Sequence, residues 1–94
     1  MFLEDNKIEK LLLSIGVDME DIIDKKSYLD EIGIHKIEAI IQILKKYHCH
    51  NVFIKECLLY RNKIVMYDIE QLAYILESIV SNGDMVEDVL LEIL

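Results

Sequence analysis

The residues most able to do chemistry lie in one short run, His48-Cys49-His50, with Cys57 downstream. Imidazole and thiolate are preferred zinc ligands, and a tetrahedral site takes four of them from motifs with about two to four residues between partners. His48 and His50 flank a turn, and Cys57 lies one or two helical turns further on. The fourth ligand would have to be Cys49 or the distant His35. That spacing matches no common zinc signature. The same residues also read as two small core cysteines and two turn histidines, and no metal or cofactor is expected. Acids pair at Glu20-Asp21 and Glu87-Asp88, in first helical turns where carboxylates face the positive end of the macrodipole. General acid–base work would need such a group buried in a pocket. The four serines lack a nucleophile-elbow pattern, and there is neither threonine nor a glycine-rich phosphate loop. The expectation is a protein that is not an enzyme.

Charge is unevenly placed. The chain carries −8 overall, yet residues 32–66 hold six bases against Glu38 and Glu56. Residues 1–31 hold nine acids against four lysines, and residues 67–94 hold seven acids and no base. Lys45, Lys46, Lys55, Arg61 and Lys63 form a basic band interleaved with Tyr47, Phe53 and Tyr60, a pattern that can contact phosphates and stack bases. It can equally pair with the chain's own acidic flanks, or with the acidic ends of a second copy. The acidic excess suits a domain that docks on a basic partner surface. Glu87, Asp88 and Glu92 on the last helix, beside the stripe Val86/Val89/Leu90/Ile93, are the partner-binding candidates there.

These groups must be positioned by helices. The 94 residues are 53% hydrophobic and 30% charged, with three glycines and no proline, which predicts an all-α domain. No apolar run reaches the roughly 18 residues of a membrane span. The N-terminus has no basic leader, and two cysteines eight apart ask for no staple, so a cytoplasmic protein is expected. Ile8-Glu9, Ile37-Glu38 and Ile69-Glu70 each open an apolar i, i+3, i+4, i+7 face: Ile8/Leu11/Leu12/Ile15, Ile37/Ile40/Ile41/Leu44 and Ile69/Leu72/Ala73/Leu76. A period near 30 residues predicts three imperfect helix–turn–helix units, at about 5–34, 35–66 and 67–94, stacked as six helices of one domain.

Local signals set the expected bounds. Asp5 or Asn6 caps a first helix ending near Ile15 and Gly16, and Asp18 caps one from Met19. Ser27 caps Tyr28 to Ile32, before Gly33. A helix spans about His35 to Tyr47, and Asn51 caps one through Tyr60. Asp68 with Gln71, and Asp84 with Glu87, read as capping boxes. Gly16 and Gly83 are each followed four residues later by an acidic pair. The middle unit departs, with His50-Asn51 at the expected glycine and Lys55-Glu56 after it.

Leu12-Leu13-Ser14-Ile15-Gly16-Val17, and Ile75 to Leu90 with its Asn82-Gly83 turn, resemble the repeats of the mitochondrial transcription termination factor family. That resemblance covers most of the chain at the level of pattern, and implies a curved helical array with a basic groove for nucleic acid. A shorter stretch, Tyr28-Leu29-Asp30-Glu31-Ile32-Gly33-Ile34-His35-Lys36 with the helix to Lys46, is similar to the turn and final helix of sterile alpha motif domains, an interaction fold. The resulting expectation is a protein-interaction or regulatory module, with nucleic-acid binding or self-assembly as alternatives.

Overall fold

A computed structural model describes residues 3–94, with side chains from residue 7 onward. The described residues form seven α-helices, one 3-10 turn and no strand. They are α1 (Leu3–Ser14), α2 (Met19–Asp24), α3 (Lys26–Ile32), α4 (Ile34–Lys46), α5 (Asn51–Tyr60), the 3-10 turn Asn62–Met66, α6 (Ile69–Ser81) and α7 (Val86–Ile93). A long helix, a turn and a second helix recur as α1–α2, α4–α5 and α6–α7. α3 and the 3-10 turn serve as the connectors between units.

The three turns are built alike. Each first helix ends on a residue with positive φ: Gly16 at 87°, His48 at 64° and Gly83 at 79°. Around each, the same two bonds close a Schellman motif. Val17 N–H donates to Leu12 O and Gly16 N–H to Leu13 O; Cys49 N–H donates to Leu44 O and His48 N–H to Lys45 O; Asp84 N–H donates to Ile79 O and Gly83 N–H to Val80 O. Two residues later comes an extended residue, Asp18, His50 or Met85, and the second helix starts at the next position.

This geometry corrects the alignment read from sequence. His48, not His50-Asn51, stands at the glycine position, and Val52-Phe53, not Lys55-Glu56, stands opposite Glu20-Asp21 and Glu87-Asp88. The Ile-Glu echoes are not the register of the repeat. Ile8 lies eight residues before its turn, Ile37 eleven and Ile69 fourteen. Each slip of three residues moves a side chain about 60° around a helix, so the echoes still fall on inward faces.

Other bounds shift for local reasons. The backbone of α1 is already helical at Leu3, ahead of Asp5 and Asn6, whose side chains lie outside the described ones. α3 starts at Lys26 because Lys25 both ends α2 and accepts the Leu29 N–H that opens α3, so Ser27 lies inside the helix. Asp68 N–H donates to Gln71 Oε1 at 3.0 Å, as the capping box requires. The Asp84–Glu87 box does not form: Asp84 belongs to the Schellman turn, α7 opens at Val86, and Glu87 turns to another helix.

The units stack along an axis, giving extents of 46 × 22 × 19 Å. α4 is central, packing on α1, α3, α5 and α6. One core runs through all three units, from Leu12 and Ile15 through Ile37, Leu44, Ile54 and Leu58 to Leu72, Leu76 and Leu90. Among the described residues no helix is long and apolar enough to cross a membrane.

Candidate functional site

Four polar contacts fix how the third unit lies on the second, and together they define a groove. Along the first helices, Lys36 Nζ donates to Tyr67 O and Tyr47 Oη donates to Glu77 Oε2 at 2.9 Å. Along the second helices, His50 meets Glu87, and Arg61 Nη1 donates to Leu91 O at 3.4 Å. Low-numbered partners pair with low and high with high, so α4 runs parallel to α6 and α5 parallel to α7. Lys25 Nζ sits 5.2 Å from the Tyr60 ring centroid, a cation–π contact that ties the C-terminal ends of α2 and α5.

Glu87 is the hinge of the α5–α7 contact. Its Oε2 accepts the His50 backbone N–H at 2.7 Å and lies 3.0 Å from His50 Nδ1. A carboxylate from the third unit therefore satisfies an N–H at the head of α5, where His50 provides no side-chain cap of its own. The His50 N–H, foremost, holds the Glu87 carboxyl below its ordinary value; burial opposes it, and the His50 ring adds a lesser lowering.

The basic band does not form one patch. Lys45 and Lys46 occupy the last turn of α4, where they face the negative end of its dipole. Arg61 and Lys63 lie beyond the far end of α5, whose ten residues span roughly 15 Å. Lys55 sits between, half-buried. Arg61 is engaged, with Nε 3.6 Å from Glu56 Oε2 as well as its bond to Leu91 O. Among the described residues, Lys45, Lys46, Lys55 and Lys63 have no carboxylate at ion-pair distance.

The zinc candidates are kept apart as well. Cys57 is fully buried, whereas His48 and His50 are exposed, with the His50 ring against Glu87. Among the described residues no three His, Cys, Asp or Glu side chains are grouped to hold a metal. Both thiols are free, and burial pushes Cys49 up to about 11 and Cys57 up to about 12, so neither is an activated nucleophile. Ser14 and Ser78 donate to carbonyls of their own helices. Tyr28 Oη is buried with no partner.

What the sequence did not single out is the groove itself. Val52, Phe53 and Leu91 line it with His50, Glu56 and Glu87. Val52 is 79% exposed. Its signal lies in the turns: once they are aligned, Val52 stands where the other units carry Glu20 and Glu87. Of the acidic candidates, Glu87 lines this groove, and Asp88 and Glu92 are exposed elsewhere on α7. Val86 and Leu90 of the C-terminal stripe are buried, Val89 half-buried, and Ile93 exposed. Comparison with protein-family models, with characterised proteins and with solved structures returns no match.

Proposed function

We propose that this chain is a non-enzymatic protein-interaction module, a short helical array whose acidic third unit docks on a basic partner surface. The observation that carries the reading is the surface of that unit. Tyr74 (75% exposed), Met85 (70%), Val80, Leu91 and Ile93 stand in solvent within a segment of seven acids and no base. Exposed apolar side chains rimmed by one sign of charge mark interaction surfaces more than catalytic ones. A regulatory, cytoplasmic role fits two unpaired, buried thiols.

A second reading, nucleic-acid binding as the termination-factor resemblance implies, draws on the unpaired Lys45, Lys46, Lys55 and Lys63. The separation of Lys45 and Lys46 from Lys63 along α5 weakens it, because a phosphate track asks for contiguous cations. Self-association end to end is weaker again, since both terminal units are acidic and would repel. Fluorescence anisotropy at low salt separates these uses. The full chain should bind a labelled cationic amphipathic peptide, more weakly as salt rises, and ignore labelled duplex DNA and single-stranded RNA. Nucleic-acid binding abolished by Lys45→Glu with Lys46→Glu would overturn the proposal.

A further inference from the structure

Resting on the interaction reading above, we infer that the groove between α5 and α7 is the docking site, and that its occupant is a cationic amphipathic helix of about three turns. The two walls run parallel and are tied at their ends, by His50–Glu87 at one and Arg61–Leu91 at the other. α4 packs closely on α6 and on α5, and α6 on α7, but α5 and α7 approach one another less. The layer is thus held open between its ties. The ten residues of α5 span roughly 15 Å, the length of about three helical turns.

The lining sets the chemistry of the occupant. Val52, Phe53 and Leu91 offer an apolar floor for residues at i, i+3/i+4 and i+7 of a docked helix. Glu56 and Glu87 stand along it, Glu56 beside Arg61 and Glu87 beside His50, and α7 itself carries three acids and no base. Lys or Arg beside the apolar stripe of the occupant completes the complementarity. Val52 is the most pointed feature. A first-turn carboxylate stabilises the head of α2 and of α7 through the macrodipole, and α5 forgoes one to place an exposed valine in the groove. Phe53 beside it occupies the position of Asp21 and Asp88, and turns its ring inward, so the floor is continuous with the core.

The test is an NMR titration of the isotope-labelled full chain with a synthetic helix carrying Leu at i, i+4 and i+7 and lysines beside them. Shift changes should cluster on α5 and α7. Val52→Lys should weaken binding about tenfold or more, an effect of about 1.4 kcal/mol. Val52→Ser should weaken it less, while Ile23→Asp, at an exposed side chain of α2 in the first unit, leaves it unchanged. A peptide with glutamine in place of lysine should bind more weakly and lose its salt dependence; equal binding by it would overturn the choice of a cationic occupant. Binding that survives Val52→Lys and is lost in Tyr74→Lys overturns the groove and leaves the acidic-unit reading standing. No binding by the wild-type chain at any salt concentration overturns both.

Discussion

α1, α4 and α6 pack in order, α4 against both others, and hold the fully buried Leu12, Ile37, Ile40, Leu44, Leu72 and Leu76. α5 and α7 seal only their inner faces, through Ile54, Cys57, Leu58 and Leu90, and leave Val52, Leu91 and Ile93 in solvent. The first layer is joined along the array by apolar packing backed by two hydrogen bonds, the second mainly by side-chain contacts at its ends. Hydrophobic burial scales with area, whereas an exposed polar tie contributes about 1 kcal/mol or less. Stability therefore rests on the first layer and on the inner faces of α5 and α7, and the outward faces of α5 and α7 are free to be shaped for contact.

The sharpest way to break this contrast is to truncate one leucine of the shared core and one on the outward face of α7. Leu44→Ala removes a fully buried side chain at the centre of the array and should cost about 2–5 kcal/mol in urea unfolding. Leu91→Ala, at a side chain 40% exposed, should cost less than about 1 kcal/mol. Equal losses would erase the distinction.

The inner face of the second layer is tested by alkali. Cys49 and Cys57 titrate near 11 and 12 in the fold, well above about 8.5 for an unfolded thiol. Between those values the unfolded chain has lost protons that the folded chain keeps. Their contribution is therefore complete below about pH 8.5, and stability should fall as pH rises from there toward 11–12. The urea midpoint followed from pH 8 to 11 checks it, alongside thiol labelling that stays slow until unfolding. Rapid labelling of both thiols at pH 8 in the folded chain would contradict a sealed inner face.

The smallest effect compares the turns. At φ 64° His48 bears a left-handed cost of about 1 kcal/mol that glycine escapes. His48→Gly should raise stability by about that much. Gly16→Ala should lower it similarly through the backbone alone, since nothing lies within 4 Å of the added Cβ. Thermal or urea unfolding of the two variants should move in opposite directions.

Periodicity carried most of the first layer. Ile37, Ile40, Ile41 and Leu44 are inward as their spacing demands, and Gly16 and Gly83 end helices as left-handed residues. The middle turn was legible between Tyr47 and Asn51, but its register was not, because a histidine held where glycine is usual gives no left-handed signal. The clue was the pair Leu44 and Cys49, spaced like Leu12 and Val17, both pairs buried and joined by the longer Schellman bond. Glu87 was misread because its partner is 37 residues away, and a local capping rule does not see a tertiary competitor. The basic residues form a cluster in sequence but not in space, because a helical hairpin sends Lys45 and Lys46 to one end of α5 and Arg61 to the other.

Amide hydrogen exchange of the full chain, with and without the cationic amphipathic helix, tests the two-layer account most directly. Alone, α4 and α6 should exchange most slowly and α7 fastest, and the peptide should add protection to α5 and α7 while leaving α1, α4 and α6 unchanged. Slow exchange in α7 equal to that in α4, or added protection confined to the first helices, would contradict it.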